Sequence, residues 1–409
     1  MSQPYHTLTK SLTFPNLDQY QWWQQAGPTL SKLLSTANYP IDQQYQYLLL
    51  LGLHIIPMLS PIGGIGTLEF SQNFTKDKNT VRMGFEPVHY MATTGQDPCN
   101  QLIMNEALTT FKRLGATMDL SLYHSLVAGL TVSDTELSIL RERDELKKQP
   151  TKSQHVFGID MKGGDVLVKV YIYPQLKALA QQVPISELIF SALGKVDNGK
   201  LGESGCLSVM EEFIADERVN PATTPVTFLA CDLLEPSKAR AKVYIAEFQF
   251  DFETLSRNWT LGGRLTDPET MKGLELLQEL WTAFDLPQGL REPPKPGDSP
   301  ARLPFLYNFE MQSGRKYPKS KIYFPLADVN DRDIANVLAA FFEKHGCAGL
   351  AKSYTENLLQ YFPGVDISEC VTLHAWLSFS YSEKTGPYMT VYYQWPDSFN
   401  QSHLTAGSS

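Results

Sequence analysis

The stretch DVLVKVYIYP, residues 165 to 174, alternates as a β-strand does, with Val166, Val168, Val170 and Ile172 on one face and Leu167, Lys169, Tyr171 and Tyr173 on the other. The alternation returns downstream. ARAKVYIAEF sets Arg240, Lys242 and Tyr244 against Ala241, Val243 and Ile245; KSKIYF sets Lys319, Lys321 and Tyr323 against Ile322 and Phe324; PYMTVYY sets Tyr388, Thr390 and Tyr392 against Met389, Val391 and Tyr393. A one-sided sheet would turn the lysines and tyrosines to water, and any one of them taken alone reads that way. Several strands in phase ask for something else: one surface lined by cations and rings, and an opposite surface covered by apolar packing.

These strands sit in hairpins. Extended, β-branched and aromatic segments pair near 67–75 with 80–88, 153–160 with 165–173, 225–233 with 240–250, 302–311 with 319–324 and 370–381 with 387–395, across turns such as TKDKN, KGG, EPSK, SGRKYP and SEKTGP. Helical windows separate them, among them LDQYQWWQQAGPTLSKLL, NQLIMNEALTTFKRL, PETMKGLELLQELWTAF and DRDIANVLAAFFEKHG. The hairpins recur at roughly 70 to 85 residues, which reads as a helix-helix-strand-strand unit repeated five times within one domain over residues 1–409. Ten antiparallel strands lose their edges by closing, and helices can then coat only the outside. A barrel of about ten strands is too wide for side chains alone to fill, so it encloses a cavity. The expected fold class is α+β, with Val and Ile facing out beneath helices and Lys and Tyr facing in. In TVRMGF, Arg82 joins the interior, and LEFSQN adds Glu69, expected as the one acid of a basic, aromatic cavity.

Composition narrows the function. A net charge of −9 over 409 residues disfavours a general nucleic-acid binder, so any anion site must be local. Five scattered cysteines without a C-x-x-C pair suit free thiols in a reducing compartment. The N-terminal MSQPYHTLTKSL has no apolar core, and YLLLLGLHIIPML is too short to span a bilayer, so a cytoplasmic protein is expected. The segment DVNDRD resembles a metal loop, but Asn330 or Asp331 at the start of a helix reads better as a cap. PIGGIG precedes a strand, not a helix, and reads as a turn. No H-E-x-x-H and no D-D-x-x-D is present.

Cations buried without an anion cost several kcal/mol each, which implies an anionic ligand. Diphosphate is the compact multivalent anion that Arg and Lys donors at several heights would match. Tyrosine faces attract cations by roughly 0.5 to 2 kcal/mol each and would shield a carbocation from water.

At this point the chain resembles the fungal aromatic prenyltransferases of the dimethylallyltryptophan synthase family, whose barrel is built from αββα repeats. The matching stretches are GTLEFSQN, VRMGFEP, DVLVKVYIYP, KARAKVYIAEF, KIYFPLADVNDRDI and GPYMTVYY. The resemblance implies that Arg82, Lys169, Arg240, Lys242 and Lys321 hold the diphosphate, with hydroxyl contacts from Tyr173 and Tyr388. It implies a tyrosine shield of Tyr171, Tyr244, Tyr323 and Tyr392, and Glu69 as the catalytic carboxylate that accepts the acceptor's N–H; simple pairing of Glu69 with Arg82 is the alternative. Lys321 departs from members acting on free tryptophan, which tend to carry Gln there. A second acid/base group would lie near SQHVFG, where His155 is a candidate. The implied reaction is a Friedel–Crafts-type alkylation of an indole or tryptophan-derived acceptor, with no metal and no other cofactor; a phenolic acceptor, or a non-catalytic barrel for an anionic aromatic, is the alternative. The expected partners are the two small-molecule substrates, with no nucleic acid and no membrane, and a homodimer is left open.

Overall fold

The computed structural model describes residues 4–61, 67–75, 79–149, 152–196, 205–292 and 303–395. The turn assigned to PIGGIG falls mostly on residues 62–66, and the tip of TKDKN on 76–78, outside the described residues.

Five hairpins form where the alternation placed them: β1 (Leu68–Phe74) with β2 (Asn79–Phe85), β3 (His155–Lys162) with β4 (Asp165–Ile172), β5 (Val226–Asp232) with β6 (Arg240–Glu247), β9 (Phe305–Gln312) with β10 (Lys319–Pro325), and β11 (His374–Ser382) with β12 (Gly386–Tyr393). Each hairpin pairs antiparallel with the next, and β12 returns to β1, Phe70 opposite Tyr393, so the sheet is a closed ten-strand barrel. A separate two-strand ribbon, β7 (Gln249–Phe250) and β8 (Gly289–Leu290), lies outside it.

Helices cover the outer surface, and two apolar cores result. The outer core takes Val81, Phe85, Val170, Ile172, Val243, Ile322 and Val391 from the strands, all fully buried against helix residues such as Trp23, Leu30, Leu277 and Leu338. Burying each such aliphatic side chain stabilises the fold by about 1.5–3 kcal/mol. An Asp at Val170 would therefore break the contact between barrel and helices. The inner core is smaller and lies within the barrel, around Phe228, Tyr244, Leu306, Tyr323 and Trp376. The connections between hairpins are unequal: Ile103–Arg113, Ser121–Leu130 and Asp134–Glu142 lie between β2 and β3, whereas only Asp331–Lys344 and Ala348–Tyr361 lie between β10 and β11. The repeat is thus regular in its hairpins and irregular in its helices.

Local signals account for the helix boundaries. Asn16 accepts from the Gln19 amide to start Leu17–Thr36, and Asn330 accepts from the amides of Arg332 and Asp333 to start Asp331–Lys344. DVNDRD is therefore a helix start. Its Asp331 is fully buried, accepting from three backbone amides and from His374 Nδ1 at 2.6 Å, while Tyr354 meets the other ring nitrogen at 2.9 Å. No helix is long and apolar enough to cross a membrane among the described residues. None of the five cysteines is joined in a disulfide.

Candidate active site

The interior is a cavity of about 890 Å³. Inward positions on one strand are two residues, about 6 to 7 Å, apart, so side chains that follow one another on a strand occupy successive levels. β4 sets the scale: Lys169, then Tyr171, then Tyr173 just past its end.

Arg82, Lys169, Arg240, Lys242 and Lys321 converge at the Lys169 level. The expectation of a single interior acid is corrected here. Asp160 on β3 ion-pairs with Arg82 Nε at 2.8 Å and Lys169 Nζ at 2.6 Å. Asp232 on β5 takes Arg240 Nε at 2.5 Å and Lys242 Nζ at 3.0 Å, and Glu310 on β9 takes Arg240 Nη1 at 3.1 Å. Burial alone would raise Asp160, but Arg82 and Lys169 outweigh it and hold the carboxyl well below its usual range. Asp232 is likewise held down at about 2 by Lys242 and Arg240 against its burial. Burial brings Lys169 down to about 8 even beside Asp160. The Tyr388 hydroxyl accepts from Arg82 Nη2 at 2.6 Å, and its ring lies under Lys321 Nζ.

One level further, Tyr171, Tyr244, Tyr323 and Tyr392 follow one another around the wall, with successive ring centroids 6.0, 6.0 and 5.8 Å apart. Asn308 on β9, buried and unanticipated, donates to the hydroxyls of Tyr244 and Tyr323 at 3.2 and 3.1 Å. Burial raises all four phenols, so they stay neutral.

Glu69 marks the far end. It faces Gly84 across the β1–β2 ladder, and no donor among the described residues reaches its carboxylate, which burial pushes up to about 7. Pairing with Arg82 is ruled out by the register: Arg82 stands opposite Ser71 and takes Asp160. Tyr173 also lies at this end, not beside the cations; its ring packs on Phe228, centroids 4.8 Å apart, and its hydroxyl feels Glu69 and Glu86. Its expected hydroxyl contact with the phosphates has no geometric support. His155 is corrected outright. It faces outward, beneath the helix Ser121–Leu130, with Tyr123 at 3.4 Å, and burial brings it down to about 3. β3 presents Val156, Gly158 and Asp160 to the cavity instead.

Phe228 and Trp376 complete this end of the wall and were not anticipated. Bulges between Val226 and Phe228 and between His374 and Trp376 reverse the strand phase. Strict alternation would have put Val226 with Phe228 and His374 with Trp376, whereas each pair is split between the two sides of the sheet.

Cations, a ring of phenols and an end holding Glu69 thus succeed one another within one closed barrel. The family described as tryptophan dimethylallyltransferase matches residues 18–357. The chain belongs to that family. Among its relatives, the prenyltransferase nanD of Aspergillus nanangensis is 40% identical over 95% of both chains. The roquefortine prenyltransferase roqD of Penicillium rubens is 39% identical over 95% of this chain and 94% of its own. The crystal structure of NotF, the deoxybrevianamide E synthase of an Aspergillus species, in complex with brevianamide F and DMSPP, superposes with a TM-score of 0.85 at 31% identity, covering 96% of this chain and 98% of that one. This family member is accordingly an aromatic prenyltransferase, and its barrel is the αββα prenyltransferase barrel.

Proposed function

We propose that the chain transfers a dimethylallyl group from its diphosphate to the indole of tryptophan or of a tryptophan-containing cyclic dipeptide, in alkaloid biosynthesis. The observation that carries this reading is the order of the three levels in one cavity, with the phenol ring between the cations and Glu69. The diphosphate lies against Arg82, Lys169, Arg240, Lys242 and Lys321. As the carbon–oxygen bond breaks, these donors meet the growing negative charge on the leaving oxygen, and fixed donors in a confined site need no reorganisation to do so. Tyr171, Tyr244, Tyr323 and Tyr392 then face the allylic cation and exclude water from it. The acceptor occupies the end walled by Tyr173, Phe228 and Trp376, with its N–H donated to Glu69, which increases the electron density of the ring that attacks; a base then takes the proton from the alkylated carbon and aromaticity returns. Tyr388 steadies Arg82 and Lys321.

Neutralisation by side chains makes this a metal-independent scheme without a cofactor. The cyclic-dipeptide acceptor is supported by Lys321, which departs from the Gln of members acting on free tryptophan. The five hairpin units act as one domain, a reading supported by closure between the first and last strands; a cytoplasmic setting is supported by five cysteines without a disulfide. The test is a product-detecting assay of dimethylallyl, geranyl and farnesyl diphosphates against tryptophan, cyclic dipeptides and phenols, with chelator present. Prenylated indole under chelator is expected. Turnover of phenols alone, or activity that only magnesium restores, would overturn the reading.

A further inference from the structure

Four cations of the belt come with resident counter-ions, and Lys321 does not. Asp160 serves Arg82 and Lys169; Asp232 serves Arg240 and Lys242, and Glu310 adds a second contact to Arg240. No carboxylate among the described residues stands within ion-pair distance of Lys321 Nζ, which instead lies 4.7 Å from the centroid of the Tyr388 ring.

The surroundings of Lys321 deepen this imbalance. Its partner across β9 is the neutral Asn308, and Glu310, one inward step away, is engaged by Arg240. β11 offers Ser378 and Ser380, and β12 offers Tyr388 and Thr390. Arg82, Lys169 and Lys242 face it from β2, β4 and β6. On its own strand Lys319 points to the mouth, 3.5 Å from Glu269. Burial first and then repulsion from Arg82, opposed in part by Glu310 and added to by Lys242 and Lys169, bring the Lys321 ammonium down to about 7. A tyrosine face returns about 0.5–2 kcal/mol to a cation, less than the several kcal/mol that burying an unpaired charge costs.

Resting on the diphosphate reading above, we infer that Lys321 gives up its charge in the empty barrel from neutral pH upward and takes a proton back as the diphosphate arrives, so that substrate capture and charging of Lys321 are a single event. The amine becomes an ammonium with a proton from solvent, and no other bond changes. The site thereby avoids holding an uncompensated fifth cation while empty, yet presents five to the leaving group. An arginine could not do this, because its guanidinium stays protonated. By linkage, affinity for the diphosphate falls as pH rises above 7, by up to tenfold per pH unit for one proton.

The test is calorimetric titration of DMSPP, the thiolodiphosphate analogue, at pH 8 in two buffers of different ionisation enthalpy. Wild type is expected to take up most of one proton at Lys321. Lys169, brought down to about 8, adds a smaller share that the variants keep. Lys321→Gln should lose the Lys321 share, and Lys319→Gln, at the mouth, should retain it. If Lys321→Gln binds too weakly to measure, Lys321→Arg, permanently charged, should bind without that uptake. Equal uptake in wild type and Lys321→Gln or Lys321→Arg, or none in wild type, overturns the inference and leaves the diphosphate site standing. Failure of DMSPP to bind wild type overturns the diphosphate reading itself.

Discussion

Glu69 and Gly84 face each other across the β1–β2 ladder, and a methyl group built on Gly84 would lie 2.7 Å from Glu69 Oε1. The glycine is there for space, since its φ lies outside the left-handed region. Its neighbour across the β2–β3 ladder is Gly158, where a methyl group would press on Tyr171 at 3.2 Å. Together the two glycines leave a bare patch of wall beside the carboxylate. Gly84→Ala should therefore displace Glu69 and lower kcat by at least ~10-fold, while an alanine in the strand leaves stability equal or slightly raised. Steady-state kinetics and a thermal melt on one preparation check both halves.

Replacing Glu69 itself is the more direct test. Glu69→Gln keeps the shape but cannot accept as a carboxylate, so kcat should fall by roughly 10²–10⁴-fold, with DMSPP affinity hardly changed. Wild type should strongly prefer an indole over its N-methyl analogue, and the variant should lose that preference. A preference left intact would mean that Glu69 does not touch the acceptor N–H.

The pH dependence follows from the same groups. Glu69 titrates near 7 and acts as the carboxylate, so kcat/KM should rise with pH through that value; burial brings Lys321 and Lys169 to about 7 and 8, so it should fall again above them. A narrow optimum near pH 7 is expected. Stability has its own sign. A carboxyl whose folded pKa is raised binds protons more tightly folded than unfolded between its ordinary value and 7, so its contribution is lost as pH rises through that window. Glu69→Gln should then be more stable than wild type at pH 8, by about 1 kcal/mol, and the gain should vanish at pH 4. Denaturant melts at the two pH values measure it.

Asp160→Asn removes the shared partner of Arg82 and Lys169. Breaking a mostly buried pair should cost about 3 kcal/mol in the empty protein. A bound diphosphate would restore the lost neutralisation, so DMSPP should raise the melting temperature of the variant more than that of wild type. An equal rise in both would show that the two cations do not face the ligand.

His155 and His374 provide the contrast. His155→Gln should keep full activity per folded molecule, because the ring lies on the helix side of β3. Asp331→Asn, which disturbs the buried contacts to His374 and three amides, should cost stability on the order of 3 kcal/mol and leave the KM of the remaining folded enzyme unchanged. Activity normalised to the folded fraction by circular dichroism separates the two.

Much of this was legible in the chain. Period-two alternation in four strands identified which faces carry Lys, Arg and Tyr, and ten such strands with helices between them require closure, because only a closed sheet can hide its edges while one face stays polar. Arg82, Lys169, Tyr171, Arg240, Lys242, Tyr244, Lys321, Tyr323, Tyr388 and Tyr392 all face the cavity as the alternation required. What alternation cannot carry is partnership between strands. That Asp160 meets Arg82 and Lys169, and Asp232 meets Arg240 and Lys242, depends on the register of neighbouring strands, which side-chain period alone leaves open. Two bulges turned Phe228 and Trp376 inward against the local phase, and the height of Tyr173 along the barrel separated it from the cations that its sequence neighbours join. The sequence alone decides which side of the wall a residue occupies, because that is a local property of the strand; only the closed barrel decides which residues meet at one level, because that is set by pairings between segments far apart in the chain.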